Sequence, residues 1–94
     1  MNPLFSLEGR VALVTGASRG IGAAIARALA AAGADVAAHG NSTPTEATCA
    51  AIRAAGRRAV SVVGDMGDPA TPDRLVAETI AALGDRIGLV DPVG

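Results

Sequence analysis

The 94-residue sequence has no tyrosine, no tryptophan and no lysine; all eight of its basic side chains are arginine. A proton-transfer mechanism built on a tyrosine acid or a tuned lysine is therefore excluded for this chain by itself. One cysteine, Cys49, rules out an internal disulfide, and no histidine stands close to it to complete a metal-ligand set, so no metal site is expected. Cys49 reads as a small buried apolar residue on a helix face. Charge of either sign is not in excess: the net charge is −1 and the arginines are scattered, which excludes a nucleic-acid footprint. Arg57-Arg58 reads as a solvated turn rather than a binding patch. No apolar run reaches membrane-spanning length. The opening MNPLFSLEGR has neither the basic start nor the long apolar stretch of a signal peptide, so the expected setting is cytoplasmic, with no membrane partner.

What is present is a globular composition, 50% hydrophobic and 18% charged. The length suits one small domain, residues 1–94, whose modest buried fraction predicts a thin stability margin. The pattern alternates strand and helix. Arg10 to Thr15 is a short apolar strand. Gly20 to Ala32 places Ile21, Ala24, Ile25, Ala28 and Leu29 on one helical face, and Gly33 stops it. Asp35 to His39 is the second strand. Thr43, Pro44 and Glu46 form a helix-start signal with a capping box, and the helix buries Cys49 and Ile52 before Gly56. Ala59 to Val63 is the third strand. Thr71 to Asp73 opens a third helix with Leu75, Val76, Thr79, Ile80 and Leu83 inward, ended by Gly84. Ile87 to Val90 is the fourth strand. This alternation predicts right-handed crossovers and an α/β fold with a parallel sheet: an incomplete Rossmann-like, doubly wound sheet of four strands in order 3-2-1-4 with three helices.

The chemistry concentrates in one loop. Gly16, Gly20 and Gly22 lie between the first strand and the first helix. Gly16 permits a sharp turn, Gly20 lets a phosphate approach bare backbone, and Gly22 permits close packing of the helix. The helix N-terminus offers N–H groups and a positive dipole end to a pyrophosphate. No Gly-Lys-Ser/Thr follows, so a nucleoside triphosphate is a poor candidate. A dinucleotide is the expected ligand, against the plainer reading of a tight turn.

Thr15 to Gly22, TGASRGIG, resembles the cofactor loop of the short-chain dehydrogenase/reductase family, Thr-Gly, three residues, Gly-x-Gly. The resemblance is strongest over the first thirty or so residues and runs to about Leu83. It implies an NAD(P)-dependent oxidoreductase and implicates Thr15, Gly16, Ser18, Arg19, Gly20, Ile21 and Gly22 in cofactor binding.

The choice of dinucleotide turns on the end of the second strand. Asp35 stands at that strand's start, about 16 Å from the edge where ligands bind, and reads as a solvent-facing cap or turn residue. At the right edge stand His39, Gly40 and Asn41, none acidic, so a 2′-phosphate is not repelled. Arg19 could pair with it, with Ser18 and Asn41 as hydrogen-bond donors; the other reading of Arg19 is a solvated loop charge. The resemblance also associates an arginine before the second loop glycine with NADP, so NADP(H) is expected over NAD(H). His39 reads as a partly exposed strand-end residue or an adenosine neighbour. After the third strand come Asp65 and Met66. The resemblance places Asp65 against the adenine amino group; turn chemistry alone would make it a capping residue.

Beyond Gly84 the sequence departs from the family. Where the family has Asn-Asn-Ala-Gly, this chain has Asp91-Pro92-Val93-Gly94, and only Gly94 agrees. The family's catalytic Ser and Tyr-x-x-x-Lys map to no residue here, so no catalytic residue is assigned. Residues 84–94 form a divergent tail, and an uncovered fourth strand could drive self-association. The expected function is the N-terminal cofactor-binding part of a short-chain oxidoreductase, truncated and not catalytic alone. The alternatives are a non-catalytic dinucleotide- or partner-binding module and a relic without a ligand.

Overall fold

The computed structural model describes residues 6–90. Along the chain run β1 (Val11–Val14), α1 (Gly20–Ala31), β2 (Asp35–Gly40), α2 (Glu46–Ala54), β3 (Ala59–Val63), α3 (Thr71–Leu83) and β4 (Ile87–Val90). The four strands form one parallel sheet in the order β3-β2-β1-β4. Val11 stands opposite both Asp35 and Ile87, so β1, β2 and β4 begin level and run to one edge together. The architecture is the Rossmann-like arrangement expected from the strand–helix alternation.

Side chains alternate across a strand, so β1 supplies two cores. Ala12 and Val14 face α1 and α2, packing with Ala26, Ala30, Val36, Ala38, Cys49 and Ile52. Val11 and Leu13 face the other way, with Ala37, Val62, Leu75 and Leu83 under α3. Apolar residues on both faces are what a parallel sheet between helical layers requires.

Several expectations need correction. The inward face of α1 is Gly22, Ala23, Ala26 and Ala30, not the stripe through Ile21, Ala24 and Ala28; Ile25 and Leu29 are only partly buried, and Ile21 is 73% exposed. Close approach selected the smallest side chains for the contact, whereas side-chain size had suggested the opposite face. In α3, Thr71, Leu75, Thr79 and Leu83 are buried, but Val76 and Ile80 are exposed, because α3 covers β3, β2 and β1 with one narrow stripe. The capping box at Thr43 does not form. Helix α2 starts at Glu46 with Thr45 as N-cap, and the Thr45 hydroxyl instead donates to the Ala38 carbonyl at 2.6 Å.

Asp35 is not solvent-facing. Its side chain is 11% exposed and ion-paired with Arg58 at 2.9 Å and Arg57 at 3.5 Å. The Arg57-Arg58 pair clasps Asp35 while the Arg58 side chain stays 63% exposed, and Arg58 also donates to the Leu83 carbonyl at 3.1 Å. His39, expected to be partly exposed, is buried. The expectations placed on Asp91–Gly94 lie outside the described residues.

Among the described residues, no helix is long and apolar enough to cross a membrane, and no group of three or more His, Cys, Asp and Glu side chains could hold a metal.

Candidate functional site

The carboxyl ends of the strands bring the glycine loop, the end of β2 and the end of β3 to one edge. Gly16 and Gly20 both adopt left-handed backbone, φ +59° and +63°, which disfavours a β-carbon at either position. At Gly20 an added Cβ would meet nothing within 4 Å, so the space beside that backbone is open. Gly22 is constrained differently: a Cβ there would overlap the Gly16 carbonyl and lie 3.2 Å from the Ala17 Cα. The third glycine therefore seats the helix on its own loop.

The loop is held from three sides. The Thr15 amide donates to the Val90 carbonyl at the end of β4 (2.9 Å), and the Ala17 amide donates to the His39 carbonyl of β2 (2.7 Å). The Thr48 hydroxyl of α2 donates to the Ala17 carbonyl at 2.8 Å. The His39 ring lies beneath the loop, accepting from the Gly16 amide at 3.2 Å. Sequence reasoning missed Thr48; its only signal was a polar residue on the buried face of α2.

Helix α1 presents an N-terminus ready for an anion. Its N-cap, Arg19, is extended (φ −163°, ψ 177°), makes no side-chain cap bond, and no acid stands in the first turn. The first amides of a helix have no intrahelical acceptor, so an anion there gains both hydrogen bonds and the dipole. Arg19 is exposed and makes no ion pair among the described residues. Ser18 is half-buried beside it.

The ends of β2 and β3 are linked across the edge. Asn41 Oδ1 accepts from the Met66 amide at 3.0 Å, and the Gly64 amide donates to the Gly40 carbonyl at 3.1 Å. Asp65 is exposed at the edge, and its Oδ1 accepts from the Gly67 amide at 2.8 Å, so the turn role is realised. The sequence reading gave Gly40 and Gly64 no packing role. A Cβ on Gly40 would overlap the Thr43 carbonyl, and one on Gly64 would press into Arg74 and Thr71.

Beside Gly20 this edge is open space. A groove of about 320 Å³ lies away from the loop, along β4, with Leu7, Leu29, Ile87 and Leu89 in its lining. It carries no arrangement of nucleophile, base and oxyanion donors. Burial pushes the Cys49 thiol up, against smaller opposing contributions from Thr45 and Arg53, the opposite of what an activated thiolate needs.

Open space beside the Gly20 backbone and the N-terminus of α1 lie next to each other at this edge, and Arg19, exposed just before them in sequence, makes no ion pair among the described residues. The family model for short chain dehydrogenase matches residues 10–94. L-rhamnose 1-dehydrogenase (NAD(P)(+)) of Sphingomonas sp. is 47% identical over 91 residues, 94% of this chain and 35% of that protein. A dehydrogenase/reductase structure from Sinorhizobium meliloti superposes with a TM-score of 0.87 at 42% identity, covering 93% of this chain and 35% of the other. A 3-oxoacyl (acyl-carrier-protein) reductase from Agrobacterium tumefaciens, solved with NADP bound, gives 0.75 at 44% identity, covering 84% and 31%. The chain spans about a third of the length of the relatives it matches.

Proposed function

The chain belongs to the short-chain dehydrogenase family, and on that premise we propose that it is the NADP(H)-binding segment of an oxidoreductase acting on a carbonyl or alcohol. The observation that carries this reading is the glycine loop, fixed from below and bare above at Gly20, in front of a helix N-terminus free of acids. When bound, the nicotinamide cofactor supplies the hydride. The residues of this chain bind and orient it. The amides from Gly16 to Gly22 take the pyrophosphate, with Thr15 fixing the loop's entry. Arg19, Ser18 and Asn41 take a 2′-phosphate, and Asp65 accepts from the adenine amino group with Met66 beside it. Ile21, 73% exposed at the helix start, offers apolar cover.

NADP(H) is favoured over NAD(H) because no acid stands at the end of β2 to repel the 2′-phosphate. The related Agrobacterium tumefaciens reductase holds NADP, whereas the related L-rhamnose 1-dehydrogenase is named for both NAD and NADP. The family's Tyr-x-x-x-Lys pair has no counterpart in a sequence without tyrosine or lysine. Residues 1–94 would supply the cofactor-binding part of that reaction, and no residue of this stretch is proposed to carry the proton transfer. The β4 edge, which pairs with no further strand among the described residues, is proposed to pair with a second copy.

Calorimetric titration with NADPH and NADH tests the reading. NADPH should bind about tenfold tighter or better, as expected for charge-assisted hydrogen bonds to the extra phosphate, and Arg19→Ala should erase the difference. Equal affinities would remove the NADP preference, and no heat from either would remove the cofactor reading.

A further inference from the structure

The one histidine does something other than face a ligand. His39 is 2% exposed, and a buried ring needs partners for both nitrogens. Nδ1 lies 3.2 Å from the Gly16 amide, and Nε2 lies 2.7 Å from the Gly64 carbonyl. A backbone amide only donates and a carbonyl only accepts. The hydrogen-bond pattern therefore assigns one tautomer, with the proton on Nε2 and a lone pair on Nδ1. The carbonyl of the same residue accepts from Ala17 at 2.7 Å, so His39 grips two successive residues of the loop. The Gly16 carbonyl is in turn the atom on which Gly22 seats α1.

We propose that His39 is a positioning residue: its Nδ1 lone pair fixes Gly16 in the left-handed turn that shapes the phosphate cradle, while Nε2–H ties that turn to the end of β3. The effect on cofactor affinity rests on the dinucleotide reading above; the loop-fixing itself does not. Pre-organisation of a binding loop raises affinity by removing the cost of ordering it.

Two amide variants separate the ring's two roles. Asparagine places its Oδ1 where Nδ1 stood and can accept from Gly16. Glutamine places its Nε2 where the ring's Nε2 stood and can donate to Gly64. His39→Asn should hold NADPH within about threefold of the parent, whereas His39→Gln should bind about tenfold more weakly, the loss of one hydrogen bond. Nitrogen NMR of the unaltered chain provides the arm that needs neither variant nor cofactor. It should show the Nε2–H tautomer, a coupling from the Gly16 amide to Nδ1, and slowed exchange of that amide. An Nδ1–H tautomer, a rapidly exchanging Gly16 amide, or retained binding in His39→Gln with loss in His39→Asn would overturn the proposal. Should the unaltered chain bind no NADPH, the cofactor reading falls, and the tautomer and exchange measurements still decide the role of His39.

Discussion

β2 and β4 flank the same central strand in the same parallel register, yet their surroundings differ completely. All six residues of β2 are buried, whereas in β4 Gly88 and Leu89 are exposed, Leu89 to 65%. Helices cover both faces of β2: α1 and α2 on one side, α3 on the other. Both segments form strands, but burial is a property of the layers above and below. Most of the ties on the glycine loop come from the covered side, through His39 and Thr48; β4 contributes the Val90 carbonyl. A loop that must be rigid is rooted where packing is complete.

One substitution made in both regions should have opposite signs. At Gly22, a β-carbon collides with loop backbone. Gly22→Ala should therefore cost about 2–3 kcal/mol of overpacking strain and displace the loop. At Gly88, a β-carbon meets nothing within 4 Å, so Gly88→Ala should stabilise by about 0.5 kcal/mol through lower unfolded-state entropy. Urea midpoints of the two variants check this. Equal effects would mean that the covered and open sides are not distinct.

That contrast also marks how much was legible in the sequence. The third and fourth strands have the expected limits, the other elements lie within a few residues of theirs, and the strand order is as expected, because apolar runs punctuated by glycine leave few topologies for a parallel sheet. The loop glycines were legible because their spacing meets a mechanical requirement. Helix faces were not. Ile21, Val76 and Ile80 look like core by hydrophobicity and are exposed, since what a helix buries depends on which layers lie against it. His39 and Asp35 were misplaced for a related reason. A polar residue at a strand end reads as solvated until its partners, here 23 to 25 residues away at Arg58, Gly64 and Gly16, are brought beside it.

The start of β2 offers a second, smaller contrast. Burial pushes the Asp35 carboxyl up, but the Arg58 amide and guanidinium and the Arg57 charge outweigh it, leaving the group below its ordinary 3.8. A carboxyl with a depressed folded pKa contributes stability that is full above the unfolded value and lost as pH falls through the folded one. Denaturation midpoints should hold at neutral pH and decline below about pH 4. Asp35→Asn should cost about 2 kcal/mol at neutral pH and flatten the acid decline. The exposed Arg74–Glu78 pair on α3, 2.8 Å apart with side chains 49% and 47% exposed, gives the comparison. Glu78→Gln should cost no more than about 0.5 kcal/mol, because solvent screens the pair. An equal loss from both would deny the Asp35 clasp any special weight.

The smallest change in stability belongs to the open side, and there the readout is association. Leu89 projects from an edge strand whose far side pairs with nothing among the described residues. Unpaired edges template pairing with another chain, and a lysine on such an edge opposes it. Leu89→Lys should therefore leave the urea midpoint within about 0.5 kcal/mol of the parent, as an exposed substitution does. It should also lower the mean mass seen by sedimentation at high concentration. The same lysine in the covered strand, as Ala37→Lys, would bury an unpaired charge and unfold the chain. If Leu89→Lys leaves the mass distribution unchanged, β4 is not the contact between copies, and its exposed apolar side chain is tolerated without pairing.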